Sequence, residues 1–316
     1  MNEKVGVSVC IVSFNQEKYI RKCLQSVIDQ KTNFNFEIVI GDDASSDRTL
    51  AVVEEFRREF PELIKVIAHD RNVGWVNNMR SVYDAAKGKY ICHLDGDDYA
   101  FPGKLQIQFD LLESNKDCVI CSHDMTVIDD DDVVIRESFK RHRDGVNSLK
   151  DLLASLPFFA HSSKMFRNEI SAGFWESLGS KSIDIEFHVN QLKVSGLIYH
   201  IDQPFGAYRT SVGVSSKLNQ VNPVLEGAVD KVFRSLLMEG AISNDFLLKC
   251  YAKSKFRYAY QSAVFGDKAG MIRLIKESVE ISRFSKAQLA FFYCSKAPSF
   301  LVFLCKFRAR ARGYKV

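Results

Sequence analysis

Apolar and polar positions in the first third of the chain follow strand-like and helix-like periods in turn, an order that predicts a parallel sheet with crossover helices. Val7 to Ser13 is an apolar run of strand length, and Glu17 to Gln30 follows with Ile20, Leu24, Val27 and Ile28 on one helical face. Phe36 to Ile40 reads as a second strand, and Ser46 is placed to cap a helix that Pro61 closes near Phe60. A strand at Lys65 to Ala68 precedes a helix from Trp75 to about Lys87, with Gly88 where a helix would end. Tyr90 to Leu94 is the next strand, Pro102 opens a helix to about Ser114, and Asp117 to Ser122 returns to strand. Three of these strands run into polar residues: Ser13-Phe14-Asn15, Gly41-Asp42-Asp43 and Asp95-Gly96-Asp97-Asp98. In a doubly wound sheet the ligand crevice lies beyond the carboxyl ends of the strands, so the three ends should face one site.

The middle of the chain is less regular. The acid run Asp129 to Asp132 interrupts a β-like stretch from Val127 to Ile135 and reads as a solvated hairpin turn, while Lys140 to Gly145 reads as a mobile charged loop. After about Lys217 the pattern is helical to the end, broken near Gly240, Gly266 and Pro298. No internal repeat is present.

A length of 316 residues with 46% hydrophobic and 26% charged positions suits one large domain, or one domain with a sizeable appendage, and excludes a disordered or low-complexity chain. No apolar run approaches the ~18 residues of a spanning helix, and the first strand is not followed by a small-residue cleavage site, so the expected location is the cytoplasm. Eight Cys lie mostly in apolar runs, the close pair Cys118 and Cys121 included, as buried thiols of a reducing compartment do. Charge is unevenly spread: Tyr251 to Val316 carries 14 Lys or Arg against three acids, so the net +4 divides into +11 there and −7 in the preceding 250 residues.

Asp95, Asp97 and Asp98 on a turn after a buried strand concentrate negative charge that a divalent ion would relieve, and oxygen ligands suit Mg²⁺ or Mn²⁺ bridged to substrate phosphates. Four segments carry a further resemblance. VSVCIVSFNQEKYIRKCLQSVIDQ, EIVIGDDASSDRT, RNVGWVNN and GKYICHLDGDDYAFPGKLQIQ, in that order, resemble glycosyltransferase family 2 over roughly the first 115 residues. Downstream, HSSKMFR (161–167) looks like the family's acceptor-side strand, and SIDIEFHVNQLKVSG its "ED" helix, with Ile183 where Glu is usual. GAYRTSVGVSS resembles the closing segment, with Ser211 where the family often has a metal-binding His.

The resemblance implies an α/β fold of the GT-A type, Rossmann-like with a mostly parallel sheet and flanking helices. It implies a glycosyltransferase domain over 1–216 (nucleotide-sugar half 1–123, acceptor-side half 124–216), followed by a helical region over 217–316. The implied reaction is a metal-dependent, inverting transfer from a nucleotide diphosphate sugar, with UDP favoured, to a hydroxyl of a glycan acceptor. By the same resemblance Phe14 flanks the base, Asp43 accepts a hydrogen bond from it, Asp42 belongs to the nucleotide-sugar site, and Asn78 approaches the nucleotide. Asp95 binds the ribose or assists the ion, Asp97 ligates Mn²⁺ or Mg²⁺, Asp98 supports either neighbour, and Asp184 is the general base with Glu186 and His188 as substitutes. Plainer readings stand beside these: Phe14 in a core, Asp42 and Asp43 as turn formers, Asn78 on a solvent-facing helix side, and Asp184 as an idle N-terminal helix carboxylate.

Ser299 to Val316 sets aromatic and aliphatic residues against Arg, a pattern that suits either an anionic lipid surface or a helix packed on the core with a solvated basic end. Docking on the inner face of the cell membrane would bring the enzyme to a lipid-linked acceptor in cell-surface polysaccharide synthesis. Nucleic acid is not an expected partner, since no recognition motif accompanies the charge. The rivals are a haloacid-dehalogenase-type phosphatase, whose nucleophile also follows a strand in Asp-x-Asp, and a catalytically silent sugar-nucleotide-binding or scaffold protein. A processive synthase lacks support, because spanning helices and a Gln-x-x-Arg-Trp motif are both missing.

Overall fold

All seven residues of β1 (Val7–Ser13) are buried, as a strand covered on both faces must be. The computed structural model describes residues 4–170, 172–179, 182–193, 196–210 and 221–311. It divides into two units, Met1–Gly213 and Val214–Val316.

In the first unit β1 is followed by α1 (Ile20–Ile28), β2 (Phe36–Asp42), α2 (Thr49–Glu59), β3 (Ile64–Ala68), α3 (Trp75–Asp84), β4 (Tyr90–Asp95) and β5 (Tyr99–Ala100). Then come α4 (Lys104–Ser114), β6 (Cys118–Ile128), β7 (Val134–Arg136), β8 (Gly145–Asn147) and α5 (Leu149–Ala154). A 3₁₀ turn (His161–Ser163), β9 (Met165–Arg167), α6 (Ala172–Ser177), α7 (Asp184–Leu192) and β10 (Leu197–Arg209) complete it. The sheet runs β3-β2-β1-β4-β9-β6-β10-β5, with β7 on the edge of β6 and β8 on β10. β1 to β4 are mutually parallel, and β9 is inserted antiparallel between β4 and β6. The register sets Ser13 opposite Asp42 and Val12 opposite Asp95, so the three polar strand ends lie side by side. Ile20, Leu24 and Val27 of α1 and Val53 and Phe56 of α2 join the strands in one core, each side chain contributing about 1.5–3 kcal/mol of apolar burial.

Several local expectations are corrected. Ser46 caps no helix: its N–H and hydroxyl both turn to Asn15 Oδ1 (2.8 and 3.3 Å), and α2 starts at Thr49. α3 stops at Asp84, and Gly88 serves a close approach instead, since a Cβ there would lie 2.7 Å from the Val7 carbonyl carbon and 2.8 Å from the Tyr90 oxygen. The 140–145 segment is tied down, with Lys140 Nζ donating to the Ser155 and Pro157 carbonyls (2.7 and 3.0 Å) and the His142 ring stacked 3.8 Å from Phe158. The acid run is a β6–β7 turn, but Asp132 is not merely solvated: it receives Lys22 at 2.8 Å and the Arg209 guanidinium.

The second unit holds α8 (Pro223–Glu239), α9 (Asn244–Phe265), α10 (Lys268–Ile281), α11 (Lys286–Cys294) and α12 (Pro298–Ala311). Gly240 and Gly266 end α8 and α9 in the left-handed conformation (φ 69° and 88°), and Pro298 opens α12. Lys255 of α9, with a side chain only 2% exposed, is encircled by Glu226, Asp230 and Glu277 at 2.8–2.9 Å. α12 buries Leu301, Val302, Cys305 and Ala309, while Phe300, Phe303 and Phe307 on its other side are 59%, 64% and 65% exposed. Among the described residues no helix is long and apolar enough to cross a membrane. All eight cysteines are free, and all but Cys294 are buried.

Candidate active site

β4 ends on Asp95. Its backbone N–H donates to Ser162 Oγ (3.0 Å), whose hydroxyl donates to Asp95 Oδ2 (3.2 Å). Asp95 Oδ1 faces His93 Nε2 at 3.1 Å, and His93 Nδ1 meets the Tyr83 hydroxyl at 2.8 Å. Burial lowers the His93 pKa against the pull of Asp95, and a neutral ring satisfies both partners when Nε2 carries the proton. The chain from Tyr83 therefore fixes the direction of the Asp95 carboxylate.

The turn after β4 carries the other two acids. Burial, then the neighbouring Asp95, pushes Asp97 up to about 7, against the pull of its own backbone N–H and of Arg209. Asp98 is buried and its pKa raised well above the usual carboxylate range, by burial first and then by Asp97 and Asp95. Its Oδ1 accepts the Arg209 backbone N–H (2.8 Å), while Oδ2 is buried without a hydrogen-bond partner. The buried Arg209 side chain donates to the carbonyls of Asp97 (3.1 Å) and Asp129, pairs with Asp132, and lies 4.3 Å over the Tyr19 ring.

Asp184 is the first residue of α7, and burial raises its pKa against the pull of the Ile185 N–H and of Lys164. Lys164 is wholly buried beside the Phe187 ring, its pKa driven well down by desolvation while the charges of Asp184 and Asp95 pull it up. Glu186, two residues on, is the carboxylate that closes the helix start, accepting the Ile183 N–H (3.0 Å) and the Ser182 hydroxyl (3.1 Å). His188 is buried against His161 (3.1 Å) and the Phe159 ring, with its pKa pushed well down by burial. Burial raises the pKa of Tyr208 on β10, and the charges of Asp98, Asp184, Asp95 and Asp97 add to the rise.

The candidates on β1, β2 and α3 form the adjoining floor. Phe14 is no core residue, its ring standing 47% exposed just beyond β1. Asp42 accepts the Ser45 N–H and hydroxyl (2.9 and 2.6 Å), a turn role, and Asp43 accepts the N–H groups of Val73 and Gly74 (2.6 and 3.0 Å) ahead of α3. Asn78 does not face solvent: its Nδ2 donates to the Gly41 carbonyl (3.0 Å), and its buried Oδ1 has no partner. HSSKMFR supplies Ser162 and Lys164 to the cluster and places β9 in the middle of the sheet. Ser211 and residues 312–316 of the basic end lie outside the described residues.

Reading the sequence residue by residue misses His93, Ser162 and Lys164, which are joined to the acids only by tertiary packing, whereas Tyr208 and Arg209 stood in the Tyr-Arg segment without an assigned role. The family model described as glycosyl transferase family 2 matches residues 8–174. The chain belongs to glycosyltransferase family 2. An uncharacterised protein of Mycobacterium tuberculosis is 29% identical over 209 residues, 64% of this chain and 58% of that protein. An uncharacterised glycosyltransferase of Methanocaldococcus jannaschii is 27% identical over 169 residues, 53% of this chain and 58% of its own length. The chain thus spans less than two thirds of these relatives.

Solved structures share the fold of this family 2 chain. Residues 1–349 of S. aureus TarS, in complex with UDP-GlcNAc, superpose with a TM-score of 0.61 at 16% identity, covering 98% of this chain and 92% of that one. The mannosyltransferase PcManGT of Pyrobaculum calidifontis, in complex with GDP-Man and Mn²⁺, gives 0.55 at 13% identity, covering 97% and 88%. The architecture is GT-A with C-terminal helices, which removes the phosphatase alternative.

Among the described residues no three His, Cys, Asp or Glu side chains form a ready-made metal cage. The donors that are present still fit a hard divalent ion: carboxylate oxygens, one of them orphaned on Asp98, in a turn where burial and then the neighbouring Asp95 raise the Asp97 pKa. Such a set suits an ion completed by substrate phosphates.

Proposed function

We propose that the chain is an inverting glycosyltransferase that moves a sugar from a nucleotide diphosphate sugar, UDP-linked by preference, to a hydroxyl of a glycan acceptor. The single observation that carries this reading is the carboxylate turn Asp95-Gly96-Asp97-Asp98 at the carboxyl end of β4, fastened to Ser162 through Asp95 and to the end of β10 through the Arg209 N–H on Asp98. Phe14 offers its exposed face to the base, with Asp42, Asp43 and Asn78 shaping the floor beneath the nucleotide. Asp95, aimed by His93 and backed by Asp98, contacts the donor, and Asp97 with Asp95 would hold Mn²⁺ or Mg²⁺. When bound, that ion supplies Lewis-acid neutralisation of charge on the departing diphosphate.

Asp184 takes the acceptor proton as the new bond forms on the face opposite the leaving group. Desolvation keeps its basicity above that of an exposed carboxylate, and Lys164 limits the rise. Glu186 is occupied by the helix start and His188 by His161, which supports Asp184 over both substitutes. Residues 1–123 would then form the donor half and 124–216 the acceptor half of a catalytic domain ending near 216, with 217–316 as its helical extension.

The exposed Phe300, Phe303 and Phe307 stripe of α12, beside Lys306, Arg308 and Arg310, supports peripheral attachment to an anionic inner membrane face, where a lipid-linked acceptor for surface polysaccharide would reside. The deciding measurement is a thermal-shift screen against nucleotides and nucleotide sugars, with and without Mn²⁺. Stabilisation of several degrees by one nucleotide diphosphate, dependent on Mn²⁺ and lost in Asp97→Ala, is expected. A folded protein that responds to none would instead be a silent scaffold.

A further inference from the structure

We propose that a cavity of about 770 Å³ built on Asp124, Asp202 and Pro204 receives the saccharide end of the acceptor, an inference that rests on the transferase reading above. Its level in the sheet is set by register. Cys92 of β4 pairs with Met165 of β9, and Met165 with Cys121 of β6, so Asp124 stands three residues past this line, as Asp95 does. Pro204 of β10 lies opposite Asp124. Two strand spacings, roughly 10 Å, separate β6 from β4. The cavity therefore opens at the same end of the sheet as the carboxylate cluster.

Phe139 joins the two. Its N–H donates to the Met125 carbonyl (2.7 Å) and to Asp124 Oδ1 (2.9 Å), and its ring meets the Tyr208 ring edge-on at 5.2 Å. Tyr208 precedes Arg209, whose N–H meets Asp98, and Phe139 belongs to the segment that lines the cavity.

The lining selects a ligand class. Asp124, Glu137 and Asp202 set three carboxylates against two guanidinium groups, and Arg143 is already engaged by Asp151 (3.2 Å) and Asn147 Oδ1 (3.0 Å). Arg141 makes no hydrogen bond or ion pair among the described residues, and Ser138 Oγ is buried without a partner. The free capacity is an excess of acceptors with one cationic donor and one hydroxyl. A nucleotide diphosphate would meet net repulsion there, whereas a neutral saccharide brings the hydroxyl donors that carboxylates accept, in a volume typical of small-molecule sites.

Saturation-transfer NMR of the full chain with the methyl glycosides of glucose, galactose, mannose and N-acetylglucosamine tests the assignment, with UDP and GDP binding followed in parallel by calorimetry. Arg141→Ala with Glu137→Gln alters exposed side chains and spares the Met125, Phe139 and Lys140 N–H groups that donate to Asp124 Oδ1. At least one glycoside should bind and weaken about tenfold in the double variant, the loss of one or two hydrogen bonds, with nucleotide affinity unchanged. Binding of no glycoside, glycoside binding indifferent to the substitutions, or an equal loss of nucleotide affinity would each overturn the proposal. Failure of the transferase reading looks different: neither nucleotide would bind the unaltered chain.

Discussion

Asp98 Oδ1 accepts the backbone N–H of Arg209 at 2.8 Å, so the carboxylate turn after β4 is fastened to the end of β10. The Arg209 side chain then reaches past Asp97 to the β6–β7 turn. Arg209→Ala should cost roughly 3 kcal/mol in chemical denaturation, because two carbonyls and a carboxylate lose a buried cation together. Arg209→Lys should recover less than half, lacking the planar fork. Asp132→Asn, at a half-exposed partner, should cost under about 1 kcal/mol. Equal stability of Arg209→Ala and the parent would show that the clasp holds nothing.

Asp184 and Glu186 share a helix start but not a task. Asp184→Asn should lower kcat by at least about 100-fold, the smaller end of general-base effects, while leaving nucleotide affinity intact. Glu186→Gln should keep turnover and lower stability by about 1 kcal/mol through the weakened cap. Rate assays with denaturation of the same two variants separate these outcomes, and a reversed pattern would move the base to Glu186.

Three histidines behind Asp95 make the first unit sensitive to acid. His93, His161 and His188 are buried and their pKa values lowered, mainly by desolvation. Groups depressed in the folded state contribute stability above their unfolded pKa of about 6.5, and that stability is lost as pH falls through the folded values. Each should steepen the fall by up to about 1.4 kcal/mol per pH unit below 6.5. His161→Phe, which keeps an aromatic ring in the cluster, should flatten the slope by one such step in denaturation curves taken from pH 7 to pH 5.

The aromatic side of α12 predicts a lipid response. Changing Phe300, Phe303 and Phe307 to Ser should abolish co-sedimentation with vesicles containing anionic lipid without lowering the melting temperature, since those rings are already exposed. Undiminished binding by the triple variant would remove the aromatic stripe from any lipid contact.

The four leading strands were legible because each is an apolar run of strand length, and their polar ends were legible because carboxylates rarely follow buried strands in such density. β9 was not, since three residues carry no period and its place between β4 and β6 depends on pairing across the sheet. Ser46 misled because a second acceptor, Asn15 Oδ1, competes for it from another loop. Asp95 and Asp97 stood out as acids on a turn after a buried strand, whereas Asp184 was singled out only through the family resemblance. Their setting was not legible: Lys164, His161 and His188 reach the acids through contacts that no local pattern records.

Gly88 has a bearing on how this chain tolerates genetic change. Its neighbours within 3 Å of a hypothetical Cβ are all main-chain atoms, those of Val7, Ser8 and Tyr90, and its own N–H is taken by Ser8 Oγ at 2.8 Å. Main chain in the middle of a sheet has no rotamer into which to retreat. A saturation library at codon 88 selected for folding should therefore return glycine alone, even though the position lies in a connection, where insertions and substitutions are ordinarily absorbed.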